Sequence, residues 1–537
     1  MRKKLTAVVA MILLVCVLLT GCSLEEFFHD LYAAFQLGTM TKFEDMEYVR
    51  PDPDAFSDLV EQCREQAKTE TDVDALMETI YTVYESYYDY ITNYYLANIH
   101  YYNDMTDIYW SDEYSYCMEH SNAISAGIDQ LLYDLADCSL REELEADAFF
   151  GPGFFDSYAG ESLWDETFTQ LMEQETALQD QYYELNALAA EVEYYSEAYF
   201  SGYGYEIEQV FLELIRVRQQ IAQYAGYESY PEFAYDFYFY RDYKPEQTQG
   251  YLQQIRTELV PLYLTLNSTV WEAYYTPCSE EDVFEYVRTC AQAVGGVAKN
   301  AFSLMENAEL YSINYSENKY AASFEIFLYN YYEPYVFVNP MGSAVDQLTF
   351  AHEFGHFCSD YAAGGTVAGT DVAEVFSQGL EYLSLSYCDD TEQLTRYKMA
   401  DSLCVFVEQS AYASFEHQVY DLEGEDLTVE NVRALYGRTL SDYGMSGNGR
   451  DNRDYTLVHH FIIAPMYVIS YVVSNDAALQ IYQAEQSQSG AGVALWEDNL
   501  ATMQTGFLGF VEEAGLTSPF EDGRVEQIRK TLEEVLK

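Results

Sequence analysis

Apolar side chains recur along most of the chain at the three- and four-residue steps of an α-helix. Between residues 73 and 102 they stand at Leu76, Ile80, Val83, Tyr87, Ile91 and Tyr94. The same spacing predicts helices within 123–148, 163–200, 206–225 and 245–270. Tyrosine, with 54 copies, supplies much of the apolar face, as is typical of helices that bury the ring and keep the hydroxyl near water. We therefore expect a mostly α-helical protein.

One segment departs from the helical spacing. Tyr335–Asn339 contains four β-favouring residues and runs into Asn-Pro-Met-Gly, a pattern that predicts a strand ended by a turn. Residues 151–153 and 278–280 have the composition of loops. No repeat with a period of 20–50 residues is visible, which argues against a solenoid. The expected architecture is therefore helical with a small amount of sheet.

Acidic residues far outnumber basic ones. The 537-residue chain has 90 Asp and Glu against 26 Lys and Arg, a formal net charge of −64. A surface this acidic repels phosphate backbones, so we expect no nucleic-acid partner. It favours metal ions and other cationic ligands, or it serves only solubility. The 49% of hydrophobic residues are enough for a sizeable core, which excludes a wholly disordered chain.

The N-terminus has the organisation of a bacterial export signal. Three basic residues precede an apolar stretch, 5–19, that is too short for a stable membrane span. Leu19–Cys22 resembles the lipobox of bacterial lipoproteins, in which the cysteine receives a diacylglycerol; the alternative is an ordinary secretory signal with an incidental Cys22. We expect residues 1–21 to be a lipoprotein signal peptide and residues 22–45 a tether. The protein would then be extracytoplasmic, anchored to the bacterial cell membrane through a lipidated Cys22, with no second membrane pass.

The remaining cysteines do not form a recognisable site. Ten are present, of which Cys16 and Cys22 belong to the signal, and the other eight include no Cys-x-x-Cys pair. This spacing fits neither a small disulfide scaffold nor a thiolate zinc site. We expect buried free thiols.

The chemistry is concentrated immediately after the predicted strand. Residues 350–361 contain the motif His352-Glu353-x-x-His356. Two histidines four positions apart lie on one face of a helix, so both imidazoles can reach one Zn²⁺ ion. Glu353 is rotated by about 100° from His352 and can reach a metal-bound water without binding the metal itself. Gly355 would let another segment approach this helix closely.

A third protein ligand is expected on the next helix. Gly364 and Gly365 end the first helix, and a second begins near Thr370. It places Glu374, Gln378 and Glu381 on one face. We favour Glu374 as the ligand over its alternative role in a capping pair with Asp371. Glu381 is the second candidate ligand, or else a carboxylate that orients a ligand imidazole.

These segments resemble the oligoendopeptidase F branch of the thimet-oligopeptidase-like zinc metallopeptidases. The likeness covers most of residues 200–480. Its segments are Tyr240–Glu246, Leu259–Leu262, Pro334–Asn339, Asp346–His356, Glu374–Glu381, Val419–Tyr420, Leu427–Glu430 and His460–Tyr471. The resemblance implies a helical, two-lobed, zincin-type metallopeptidase with a deep central channel and a small edge sheet beside the active-site helix. It divides the mature chain into an N-terminal helical region, 46–200, and a catalytic region, 201–537.

The resemblance also implies site roles. Zn²⁺ would be held by His352, His356 and Glu374, with Glu353 as the general base, and the oxyanion would be stabilised by His460 and Tyr467. His459, His460, Tyr467 and Tyr471 could instead be core or helix-stripe residues. The edge strand 335–339 would pair with the backbone of a short peptide substrate.

The chain differs from the family pattern at several positions. Ser359 stands where family members usually have a further histidine, and the loop between His356 and Glu374 is shorter than usual. Ile462, Ile463 and Ile469 replace tyrosines, some of which donate hydrogen bonds to the oxyanion, so we expect a slower or differently arranged site.

Two further function classes remain open on these residues. The first is a catalytically impaired lipoprotein that binds zinc and peptides, which the isoleucines motivate. The second is a structural or interaction lipoprotein with acidic, tyrosine-rich helices. The general base Glu353 favours a zinc-dependent endopeptidase over both, and no serine-hydrolase elbow or phosphate-binding loop competes. The sequence indicates no oligomeric state and no cleavage preference.

Overall fold

The computed structural model describes residues 40–537, except 148, 159–162, 164, 190–191, 194, 366–367, 447–449 and 503. The predicted signal peptide, Cys22 and most of the predicted tether lie outside the described residues. Within them, no helix combines the length and the apolar character needed to cross a bilayer.

The described chain is built from helices with one small sheet, as the sequence predicts. The first thirteen α-helices are α1 (Pro53–Ala67), α2 (Val73–Asn103), α3 (Ile108–Ala136), α4 (Arg141–Glu145), α5 (Glu166–Ala189), α6 (Glu197–Ser201), α7 (Tyr203–Tyr224), α8 (Tyr230–Phe237), α9 (Pro245–Glu258), α10 (Val260–Tyr263), α11 (Glu272–Tyr275), α12 (Glu280–Val294) and α13 (Gly296–Ala308). Three strands follow: β1 (Tyr311–Ile313), β2 (Ser323–Leu328) and β3 (Glu333–Val338). The remaining helices are α14 (Asp346–Ala363), α15 (Thr370–Tyr387), α16 (Glu392–Cys404), a π-helical turn (Val405–Gln409), α17 (Ser410–Val419), α18 (Val429–Asp442), α19 (His459–Ile463), α20 (Ile469–Ser487), α21 (Ala491–Glu497), α22 (Phe507–Glu513) and α23 (Arg524–Leu536).

Two hydrophobic cores organise these elements. Helices α1 and α3 and the first half of α2 share a core of their own, in which Leu76, Ile80 and Val83 are fully buried. The second half of α2 contributes Leu96 and Ile99 to a larger core that extends to the C-terminal helix. The long helix α2 therefore joins the N-terminal region to the part of the chain that carries the histidine motif.

Three of the predicted helices have different boundaries in the structure. The prediction of one helix within 123–148 is wrong at both ends, because α3 begins at Ile108 and ends at Ala136, and the short α4 follows. The start lies earlier because the Asp107 side chain accepts hydrogen bonds from the amides of Tyr109 and Trp110 and so caps the helix there. The segment 163–200 is likewise divided into α5 and α6, and the segment 245–270 contains α9 and α10.

The predicted strand is present, but its predicted position at the edge of the sheet is wrong. The strand order is β1–β3–β2, so β3, which contains Tyr335–Val338, is the central strand. It pairs parallel with β1 and antiparallel with β2. All six residues of β3 are buried, whereas most of β2 is half-buried, which explains why only β3 had a continuous apolar signal. The edge strand beside the histidine motif is β2.

The helices α14 and α15 cross closely at Gly355, as the sequence suggested. A methyl group at this position would lie 2.6 Å from the Ser377 Cα atom and 2.7 Å from the Phe376 carbonyl oxygen. Both are backbone atoms, which cannot move aside without shifting α15. The absence of a side chain at Gly355 therefore sets the distance between the two helices that carry the candidate metal ligands.

Replacing Gly355 with alanine should force α14 and α15 apart. We expect the free energy of unfolding to fall by about 1–3 kcal/mol, as for other overpacked interiors, together with weaker zinc binding. Gly250→Ala is the matched control, because Gly250 lies within α9 and a methyl group there would meet no atom within 4 Å. Denaturant unfolding and zinc titration of both variants check the prediction; equal behaviour of the two would contradict it.

Candidate metal centre and active site

The histidine motif lies on α14, with both imidazoles on one face. The rings of His352 and His356 are 5.1 Å apart, as expected for residues one turn apart. Helix α14 ends at Gly364, which has a positive φ of 73° and whose amide donates to the carbonyl of Asp360. The chain can therefore reverse within a few residues and return along α14 as α15, which begins at Thr370 as predicted.

The reversal brings the three predicted metal ligands together. Ligand atoms of His352, His356 and Glu374 all lie within 4.8 Å of one another. The His352 Nε2 atom is 3.5 Å from the Glu374 Oε2 atom. Two imidazoles and one carboxylate are the donor set of a catalytic zinc site that keeps an open position. The residues present therefore fit a zinc ion.

The alternative role of Glu374 as part of a capping pair with Asp371 is wrong. Gly369 occupies the N-cap of α15 and provides no side-chain cap. Asp371 instead accepts hydrogen bonds from Arg241 and from the hydroxyl of Tyr243. The Glu374 carboxylate therefore does not cap the helix and lies beside His352 and His356.

Glu381, the second candidate ligand, contacts the far side of His352. Its Oε1 atom is 2.8 Å from the His352 Nδ1 atom, so the carboxylate accepts a hydrogen bond there and leaves Nε2 directed toward Glu374 and His356. The other carboxylate oxygen, Oε2, is 2.7 Å from the Nζ atom of buried Lys398. This arrangement corresponds to the orienting role considered for Glu381. The sequence pattern held no signal for Lys398, which lies on α16.

Replacing Lys398 with methionine should weaken zinc binding without removing a ligand. The Glu381 carboxylate would remain buried without its ammonium partner, so its hydrogen bond with the His352 Nδ1 atom would change. Loss of such outer contacts typically raises the Kd for zinc by about 10–100-fold. The control is Lys299→Met, since Lys299 is an exposed lysine of α13. Competition titration with a zinc chelator measures both; an unchanged Kd in Lys398→Met would contradict the orienting chain from Lys398 to His352.

Burial and mutual charge set the protonation of the site. Burial raises the pKa of Glu353 to about 7, helped by the nearby Glu374 and Glu381 carboxylates. Burial lowers the pKa of His356 to about 3. Burial also opposes the charged form of His352, but the hydrogen bond to Glu381 and the surrounding carboxylates outweigh it and raise its pKa to about 9. A cation held by His352 would compete with that proton, so metal binding should strengthen as the pH rises.

These side chains face a cavity of about 460 Å³. Its lining residues are Ser323, Phe324, Glu325, His352, Glu353, His356, Ala368, Thr370, Ala373, Glu374, Tyr467 and Tyr471. One wall is therefore the edge strand β2, and another is the segment 467–471. The candidate ligands, the candidate base and the first residues of β2 therefore line the same cavity.

His460 and Tyr467 lie beside the ligands. The Tyr467 hydroxyl donates to the Glu374 Oε1 atom at 3.1 Å, and its ring is 5.4 Å from that of His460. The His460 Nε2 atom is 3.4 Å from the Tyr471 hydroxyl. Burial lowers the pKa of His460 to about 4. His459 points elsewhere and contacts Tyr182 and Tyr183 on α5.

None of the three isoleucines that differ from the family pattern is among the residues that line the cavity. Ile462 and Ile469 are each only 1% exposed and belong to the larger core. The Ile462 carbonyl accepts a hydrogen bond from buried Arg218. Tyr467 and Tyr471 are the phenols that line the cavity.

Comparison with known proteins supports the resemblance read from the residues. Residues 43–161 match the model of the Peptidase M3 N-terminal domain. Nothing among curated protein sequences matches the chain. A structure of PZ peptidase A with an inhibitor covers 92% of this chain and 99% of its own, with 18% identity and a TM-score of 0.79.

Two other solved structures are described as oligoendopeptidase F. One covers 92% of this chain and 98% of its own, with 21% identity and a TM-score of 0.78. The other, from Bacillus anthracis, covers the same shares with 20% identity and a TM-score of 0.75. The mostly helical fold with its small sheet is thus the fold of these structures.

Proposed function

We propose that this chain, with the fold of the oligoendopeptidase F structures and an N-terminal region that matches the Peptidase M3 domain, is a zinc-dependent oligopeptidase. It would cleave short peptides internally. The observation that carries the proposal is the convergence of His352, His356 and Glu374 in the cavity that also contains Glu353. A binding or scaffolding protein gives no reason to keep a carboxylate in the position of a general base beside such a ligand set.

The residues of the chain divide the reaction between them. When bound, a zinc ion would supply Lewis acidity and lower the pKa of a water molecule at its open position. Glu353 accepts a proton from the attacking water and passes it to the leaving amine. Burial raises the pKa of Glu353, and this favours uptake of a proton from the attacking water.

Tyr467 and His460 would complete the site. Tyr467 lies at the cavity wall and donates its one hydroxyl proton to Glu374. To stabilise an oxyanion, the hydroxyl would turn away from Glu374 and donate to the substrate instead. His460 is neutral near pH 7 because its pKa is low, so it can donate a hydrogen bond without adding charge.

The substrate backbone would pair with β2 rather than with β3. The outer edge of β2 has no partner strand among the described residues, and its first residues line the cavity. Pairing through main-chain hydrogen bonds tolerates many side chains, which suits a peptidase for varied short peptides. In our proposal the enzyme works at the outer cell surface, held there by the lipidated Cys22.

A peptide-cleavage assay on residues 23–537 tests the proposal. We expect about one zinc ion per chain and cleavage of quenched fluorescent oligopeptides that stops on chelation and returns on zinc addition. Zinc binding without cleavage would instead support the impaired peptide-binding lipoprotein. Cleavage that chelation leaves unchanged would overturn the proposal.

A further inference from the structure

The turn that precedes Tyr467 has an unusual backbone. Met466 has a φ of +68° although it is not glycine, and it is only 2% exposed. The Tyr467 amide donates to the Ala464 carbonyl at 3.1 Å, and Pro465 occupies the second position. This is the pattern of a type II turn, whose third position favours glycine because a side chain there is strained. Something must hold Met466 in this conformation.

Two buried side chains hold both polar groups of the Met466 backbone. Its amide donates to the Oε1 atom of Glu416 on α17 at 2.8 Å. Its carbonyl accepts from the Nη1 atom of Arg241 at 2.9 Å. Arg241 is itself fixed, because its guanidinium lies between the rings of Tyr235 and Phe239, 4.4 and 4.3 Å from their centres.

Arg241 also connects this turn to the helix that carries Glu374. Its Nε atom is 3.2 Å from the Asp371 Oδ2 atom, and Asp371 lies one turn before Glu374 on α15. The Nη2 atom of Arg241 donates to the Ser470 hydroxyl at 2.8 Å, at the start of α20. One guanidinium thus contacts the turn, α15 and α20 together.

We propose that Glu416 and Arg241 are positioning residues, which hold the 464–467 turn in its strained form so that the Tyr467 hydroxyl meets Glu374. Without them, Met466 would relax to a negative φ, and the residue after it would change direction. The phenol would then leave Glu374 and the cavity wall. The inference rests on the proposed peptidase function, and it deepens that function by naming what orients one of its groups.

Removing the acceptor on Glu416 tests the inference. We expect Glu416→Met to lower kcat by about 10-fold and to keep KM within about 2-fold of the wild type. This is the effect expected when the Tyr467 hydroxyl is misplaced but still present. Glu416→Gln should stay within about 2-fold of the wild type, because its amide oxygen can still accept from Met466. Glu333→Met is the matched control, since Glu333 is also buried, accepts from one backbone amide and lies in β3.

Two combinations separate positioning from general destabilisation. Adding Met466→Gly to Glu416→Met should restore kcat to within about 3-fold of the wild type, because glycine adopts a positive φ without support. In a Tyr467→Phe background, Glu416→Met should change kcat by less than about 2-fold, because the hydroxyl that it positions is already absent. Failure of the glycine rescue, or an equal loss in the Tyr467→Phe background, would overturn the inference.

A readout without turnover distinguishes this inference from the proposed function. 3-Fluorotyrosine placed at position 467 reports its surroundings through its ¹⁹F resonance. We expect Glu416→Met to shift or broaden that resonance and the added Met466→Gly to return it. If the wild type cleaves no peptide but the resonance behaves in this way, the proposed function fails and the positioning stands. An unmoved resonance in Glu416→Met overturns the positioning whatever the activity.

Discussion

Replacing Glu353 with glutamine is expected to lower kcat for peptide cleavage by about 10³-fold, within the range that general acid–base catalysis contributes. Glutamine has nearly the same shape but cannot take up a proton at neutral pH. The residue is 7% exposed and faces the cavity beside His352 and His356. Zinc content and KM should change little, because Glu353 is not among the three residues whose ligand atoms converge.

The control for Glu353→Gln is Glu317→Gln. Glu317 is exposed in the loop between β1 and β2, so its substitution tests whether any loss of one carboxylate affects turnover. Steady-state kinetics on a quenched peptide, zinc analysis and a thermal melt should be measured on both. A Glu353→Gln variant that keeps more than about a tenth of the wild-type kcat would exclude a general-base role of the usual size.

The metal helix and its partner could be anticipated from the sequence because each signal there is local. The His352–His356 spacing needs only the periodicity of one helix. Gly364 predicts the end of that helix, because glycine readily adopts the left-handed conformation found there. The closeness of α15 was also foreseeable at Gly355, where only a glycine allows two backbones to meet. The ligand set therefore followed from short segments plus one reversal of the chain.

What the sequence did not reveal depends on contacts between distant segments. The strand β2 contains Ser323 and Glu325 beside apolar residues, so its continuous apolar run is only three residues long, and its pairing with β3 is a contact between separate segments. Lys398 and Glu416 are polar residues within helical patterns, and their neighbours in the sequence do not indicate that they contact Glu381 and Met466. Such contacts exist only once the helices are packed.

The same distinction explains the isoleucines. From the pattern alone, Ile462 and Ile469 stand where hydroxyls would help the oxyanion, which suggests an impaired site. The structure buries both side chains in the core and leaves Tyr467 and Tyr471 at the cavity. Packing thus decides which residues of the segment 460–471 line the cavity, and the spacing of residues does not show it.

Replacing Glu374 with glutamine is expected to remove most of the bound zinc and, with it, the activity. A neutral amide is a weak zinc ligand, and the two imidazoles alone leave the ion without its anionic donor. Loss of a group that only orients a ligand typically raises the Kd for zinc by about 10–100-fold. We expect Glu374→Gln to raise this Kd by more than that, and kcat/KM at limiting zinc to fall accordingly. Glu381→Gln should raise the Kd by only about 10–100-fold, because Glu381 contacts the Nδ1 side of His352.

The comparison with Gln378→Met completes this test of the ligand assignment. Gln378 lies on the same helix between the two glutamates and donates to the Ser474 hydroxyl at 2.9 Å, away from the donor set. We expect its substitution to leave zinc binding unchanged. Weaker zinc binding in Gln378→Met would show that any substitution on α15 disturbs the site. If Glu381→Gln lost zinc while Glu374→Gln retained it, Glu381 would be the ligand and the roles drawn from the geometry would be reversed. Equal, small losses in both glutamate variants would instead show that neither carboxylate binds the ion, because removal of a direct ligand has a larger effect than removal of a group that orients one.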